Sequence, residues 1–240
     1  MKVIAGALGL SPPVITAPLR SLKGVGKLVV FTTEEEEVRR GYELIEVALQ
    51  QEYPEVLLKR VELGFADVSS EEENFEFMRI AGRIIRAEKE EGNTVYVNLA
   101  GGRKNMSLSL ALIAQMLNAR MFHVVNREVK SYNLLLENLR GEIRRIYESG
   151  SEERFKIYAD RRRHFRELLF PEDAALVWIP AIPMPREYLQ RVVEALFTGR
   201  TENLTPSQIG ALEEVGLVER VGRKVAVSEL GRKLGEVLVR

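Results

Sequence analysis

The chain has 240 residues, 45% of them hydrophobic, and its Lys plus Arg and Asp plus Glu both number 35, leaving no net charge. That length supports one substantial core and a small appendage, and the charge balance excludes the global field that draws proteins to nucleic acid or anionic membrane. The absence of cysteine excludes disulfides, thiolate nucleophiles and Cys-rich zinc sites. Two histidines, His123 and His164, show no metal-ligand spacing, so neither a metal nor a cofactor is expected. No signal-peptide pattern opens the chain, and no apolar run approaches the roughly 20 residues of a membrane span. A cytoplasmic protein without membrane contact is expected.

In chain order, Val3 to Leu8 reads as a strand that ends at Gly9, and Ser11-Pro12-Pro13 then opens a helix. Lys27 to Thr32 is a continuous apolar strand. The acids Glu34 to Glu37 begin a helix that runs to about Tyr53 and suit the positive end of its dipole; they read as a solvated helix start rather than a metal site. Val56 to Leu63 is a third strand. Glu71 to Glu91 forms a long amphipathic helix with Ser69 and Ser70 as N-caps and Gly92-Asn93 as its stop. Thr94 to Leu99 and Met121 to Val125 are strands flanking a glycine turn and a helix from about Asn105 to Leu117.

Continuously apolar strands alternating with helices predict an α/β, Rossmann-like, mostly parallel sheet covered on both faces. His123, on one of those strands, reads as a core residue. Lys130 to about Leu169 is helical and locally basic, and Ala174 to Ile179 is the last strand of a domain spanning residues 1–180. A second domain, residues 186–240, reads as helix to Phe197, helix Pro206 to Val215, hairpin at Val221-Gly222-Arg223 and helix from Glu229, the order of a winged helix. It carries nine bases against eight acids, and the helix in the recognition position holds Glu213 and Glu214 but no base. Duplex binding needs a basic stripe, so DNA binding by this unit is not expected.

In open parallel sheets ligands sit beyond the carboxyl ends of the strands, where strand order reverses. Two turns fit that place. In Gly9-Leu10-Ser11-Pro12-Pro13, glycine admits close approach and Ser11 offers a hydroxyl or a helix cap. In Gly101-Gly102-Arg103-Lys104-Asn105-Met106-Ser107, paired glycines free the backbone to form an N–H nest, and Arg103 and Lys104 add cations. Neither turn matches G-x-G-x-x-G or the P-loop, which argues against NAD binding and ATP hydrolysis. Arg161-Arg162-Arg163 is either a solvated face or a phosphate contact.

Together, Ala7-Leu8-Gly9-Leu10-Ser11-Pro12 and Asn98-Leu99-Ala100-Gly101-Gly102-Arg103-Lys104-Asn105-Met106-Ser107 resemble the motifs of the CARF family, the CRISPR-associated Rossmann fold, over about residues 1–180. The resemblance implies a homodimer that binds cyclic oligoadenylate. It is nearest to the ring nucleases, which degrade cyclic tetra-adenylate and so switch off type III CRISPR signalling. It implies Ser11, Arg103 and Lys104 as catalytic positions and Gly9, Leu10, Gly101, Gly102, Asn105, Met106 and Ser107 as ligand-binding ones. A later basic residue is also implied, with Arg161, Arg162 and Arg163 as candidates. The alternatives are a cyclic-oligoadenylate-responsive transcription regulator, and an unrelated nucleotide enzyme on the same fold.

Overall fold

The computed structural model describes residues 1–126, 128–222 and 224–237. Among them the chain runs β1 (Lys2–Ala7), two single-turn helices α1 (Pro13–Thr16) and α2 (Pro18–Ser21), β2 (Val25–Thr32), α3 (Glu36–Glu52), β3 (Leu57–Glu62), α4 (Glu71–Glu90), β4 (Thr94–Asn98), α5 (Lys104–Met116) and β5 (Arg120–Val125). Four helices follow, α6 (Val129–Asn138), α7 (Arg140–Glu148), α8 (Ser151–Asp160) and α9 (Arg162–Leu169), and then β6 (Ala175–Ile179). The C-terminal segment is α10 (Arg186–Thr198), α11 (Pro206–Glu214), β7 (Val218–Val221), β8 (Lys224–Val227) and α12 (Glu229–Val237).

The first six strands form one sheet in the order β3-β2-β1-β4-β5-β6. Neighbours from β3 through β5 pair parallel, whereas β6 runs antiparallel to β5, with Val125 opposite Ala175 and Met121 opposite Ile179. The helices α6 to α9 leave and return at the same end of the sheet, so β6 needs no crossover. Strand order reverses between β1 and β4. The turns after these two strands therefore flank the switch point of the sheet.

Local chemistry accounts for most elements. In α4, Ser70 accepts the Glu73 N–H while the Glu73 carboxylate accepts the Ser70 N–H, a reciprocal capping box. In α5, Met106, Leu110, Ile113 and Ala114 fall on one helical stripe and are buried. They belong to the core on one sheet face, with Phe77, Ala81 and Ile85 of α4. The other face carries Leu44, Ile45 and Ala48 of α3 together with Ile146, Tyr158 and Phe165 from the later helices.

Two expectations need correction. Not every strand is covered on both faces: β3 closes one edge of the sheet, and its Leu57, Lys59 and Glu62 are exposed. His123 is exposed rather than in the core. It sits on β5 opposite the half-exposed Val177, beside the edge strand β6.

The C-terminal segment follows the expected order of helix, helix, hairpin, helix, and buries Leu196, Leu204, Leu212, Val218 and Val227 together. Thr205 and Gln208 form a second capping box at the start of α11. Arg223, expected at the hairpin tip, and Arg240 lie outside the described residues. Helix α12 is pinned to α4 by Lys233–Glu71 (2.5 Å) and Arg79–Glu236 (2.9 Å), and Val237 joins the α4–α5 core. No helix among the described residues is long and apolar enough to cross a membrane.

Candidate functional site

The two glycine-bearing turns meet backbone to backbone. A Cβ on Gly9 would lie 3.1 Å from the Gly102 nitrogen, and one on Gly101 would lie 1.9 Å from the Ala7 carbonyl oxygen. Gly101 therefore tolerates no side chain, and Gly102 adopts φ +76°, the left-handed region that favours glycine. Buried Asn98, at the end of β4, braces the contact: its amide donates to the Val14 carbonyl (2.7 Å) and its Oδ1 accepts the Ala100 N–H (3.0 Å). Asn98 is a site-building residue that the sequence reading did not single out.

The side chains of the second turn divide into those that build it and those left over. Asn105 donates to the Val68 carbonyl (2.8 Å) and accepts the Met106 N–H. Ser107 donates to the Gly101 carbonyl (3.2 Å), and the buried Met106 anchors α5 in the core. These three residues hold the turn. Arg103 is gripped by Asp67, with Nε 2.8 Å from one carboxylate oxygen and a terminal nitrogen 2.7 Å from the other. Those hydrogen bonds, and then the charge of Asp67, raise the guanidinium pKa further. Lys104, the first residue of α5, is exposed and has no hydrogen-bond or ion-pair partner among the described residues. Ser11 is also exposed, and its hydroxyl caps no helix and has no partner among the described residues. The cap role open to Ser11 from sequence is thus not the one it plays.

A cavity of about 300 Å³ lies between the turns, lined by Gly9, Leu10, Ser11, Gly101, Gly102 and Arg103, with Met106 at its base. Thr33 and Glu35 beyond β2, and Asp67 beyond β3, complete the wall. The glutamate run is therefore not wholly a solvated helix start. Glu36 and Glu37 pair with Arg40 in the first turn of α3, but Glu35 faces the cavity. Glu35 and Asp67 carry no motif; the signal that locates them is the rule that every loop at the carboxyl edge of a parallel sheet is a candidate wall.

The chain does not bring Arg161, Arg162 and Arg163 to this cavity. Arg161 pairs with Glu142 (3.2 Å), and Arg162 pairs with Glu52 of α3 (2.8 Å), which also holds Arg166 (3.3 Å). Arg163 lines a separate hollow beside Tyr132 and Phe170. Among the described residues no group of three or more His, Asp or Glu is placed to hold a metal ion.

Residues 11–207 match the family model described as CRISPR-associated protein NE0113. The chain belongs to this family. A curated relative, the CRISPR system ring nuclease SSO2081 of Saccharolobus solfataricus, is 28% identical over 123 residues, which are 48% of this chain and 66% of the relative. The NE0113-family chain thus spans just under two thirds of that relative's length. Among solved structures it resembles Enterococcus italicus Csm6 bound to cyclic hexa-2'-fluoro-hexa-dAMP, with TM-score 0.47, 11% identity, and 89% of this chain and 50% of that chain covered. It also resembles Can2 from Sulfobacillus thermosulfidooxidans in complex with cyclic tetra-adenylate, with TM-score 0.41, 11% identity, and 98% and 64% covered.

Proposed function

We propose that this protein is a ring nuclease that binds cyclic tetra-adenylate across a homodimer and opens it without a metal ion, switching off type III CRISPR signalling. The observation that carries the reading is the meeting of the Ser11 and Lys104 turns at the switch point, with the hydroxyl and the ammonium unpaired among the described residues. The ring-nuclease relative supports the activity. For the dimer, Leu108 and Leu112, 72% and 44% exposed on the outer face of α5, give apolar surface of the kind a second copy covers. A ring of four nucleotides has a two-fold axis, and a symmetric dimer presents each turn twice about its own.

In the proposed step a ribose 2′-hydroxyl oxygen attacks the adjacent phosphorus and gives its proton to solvent, the bond from phosphorus to the 5′-oxygen breaks, and the 5′-oxygen takes up a proton from solvent, so the proton count is unchanged. A 2′,3′-cyclic phosphate and a 5′-hydroxyl result, and no water is consumed. Lys104 and the turn N–H groups stabilise charge developing on the phosphate oxygens, Arg103 exchanges Asp67 for phosphate, and the Ser11 hydroxyl orients the ring for in-line attack. The test is incubation with cyclic tetra- and hexa-adenylate, with and without excess chelator, followed by separation of the products. Linear products ending in cyclic phosphate, formed from the tetramer in chelator, are expected. An intact tetramer would overturn the reading, and loss of cleavage only in chelator would overturn its metal-free step.

A further inference from the structure

A second, larger cavity, about 570 Å³, lies away from the glycine turns, where the C-terminal segment meets the sheet domain. Its walls are the last turns of α4, the turn from α5 into β5, and one side of α10. Met116, Leu117, Leu189, Val193 and Phe197 make most of its lining apolar. Phe197 is half exposed, although it belongs to a helix whose Val192, Ala195 and Leu196 are buried. Cavities of roughly 300–1,000 Å³ with apolar walls and few polar groups are typical of small-molecule sites, and they favour junctions between units.

The polar groups in this cavity are unequally matched. Among the described lining residues, Arg86, Lys89 and Arg186 stand with Glu90 and Glu194, three cations to two acids. Lys89 donates to the Asn118 carbonyl (2.8 Å), a neutral acceptor that leaves its charge uncancelled. Arg186 has no hydrogen-bond or ion-pair partner among the described residues. Burial, and then the nearby charge of Arg186, lower the Lys89 pKa: two cations share a partly desolvated wall. An anion placed there relieves that repulsion, and a flat apolar body fills the space against Phe197.

We propose that this cavity is a binding site for a small aromatic anion, its ring on Phe197, Leu189 and Val193 and its charged group on Lys89 and Arg186. The site is independent of ring cleavage and shares no residue with the glycine-turn cavity. Because its walls come from both the sheet domain and the C-terminal segment, an occupant ties the two together and stabilises the native chain by mass action.

The probe is 8-anilinonaphthalene-1-sulfonate, an aromatic anion whose fluorescence rises in apolar surroundings, titrated into the full-length protein. Two variants alter exposed lining positions and so spare the core: Arg186→Glu reverses a charge, and Gln190→Trp fills the cavity. One saturable site per chain is expected in the wild type, weakened at least tenfold in each variant while the circular dichroism spectrum and melting temperature stay within error. Equal affinity in all three proteins, which puts the dye on another apolar surface, would overturn the proposal. So would the absence of saturable binding in the wild type.

Discussion

The glycine turns and the four-helix segment α6 to α9 are both rich in bases, yet they treat them in opposite ways. On the helices six arginines are paired with acids: Arg140 with Glu137, Arg145 with Glu153, Arg154 with Glu43, Arg161 with Glu142, and Arg162 and Arg166 with Glu52. At the turns, Arg103 pairs with Asp67, but Lys104 and the Ser11 hydroxyl have no partner among the described residues, while neighbouring polar groups, Asn98, Asn105 and Ser107, hold the backbone. On the function proposed above, the paired charges serve architecture and the unpaired groups on a rigid mount serve the ligand.

Substitutions that touch each side separately sharpen the contrast. The largest effect is expected from Lys104→Ala, which removes a preorganised cation and slows ring opening about 100- to 1000-fold; Ser11→Ala is expected to slow it more than tenfold, and both variants are expected to keep their melting temperature. Unchanged turnover in both would place the chemistry elsewhere. On the helical side the readouts exchange. Glu52 is 5% exposed and binds Arg162, Arg166 and the Tyr158 hydroxyl, so Glu52→Ala is expected to cost about 2 kcal/mol, measured by urea unfolding. Arg161→Ala and Arg162→Ala should change ring opening by less than twofold, and a tenfold loss in either would return that run to the site.

The smallest effect concerns Glu46, on α3. Burial first, then the charge of Glu43, raise its pKa, partly offset by Arg154 and Arg60. A carboxyl with a raised folded-state pKa binds its proton more firmly in the native state, so its ionisation at neutral pH disfavours folding. Glu46→Gln is therefore expected to raise the melting temperature by about 2 °C at pH 7. The gain should shrink as pH falls through the raised pKa and vanish below the ordinary glutamate range. Differential scanning calorimetry across that range checks the sign.

The same contrast explains what was legible in the sequence. The order of strands and helices was readable because apolar runs and helical stripes are local, as in β2 and α5. The glycine turn was readable because only glycine occupies Gly101 and Gly102 without strain. The direction of β6 was not, since Ala175 to Ile179 has the same composition in either orientation and only the return path of α6 to α9 sets it. Exposure of His123 depended on its place beside the edge strand β6, where Val177 is half exposed too. Asp67 and Glu35 look like any loop acids until the register of β1, β2 and β3 brings their loops beside Arg103. The pairing of Arg162 with Glu52 joins residues 110 positions apart, a distance that no spacing rule spans.

The backbone contact between Gly101 and the Ala7 carbonyl also limits how this site can diversify. With no room for even a methyl group at Gly101, a cavity that takes a ring as proposed cannot be retuned there by substitution for a larger or smaller one. Selectivity has to be written in the walls, at Thr33, Glu35 and Asp67, where side chains project over a fixed base. On that proposal, a change of ring preference is expected to come first from substitutions in the loops after β2 and β3, with the two glycine turns kept.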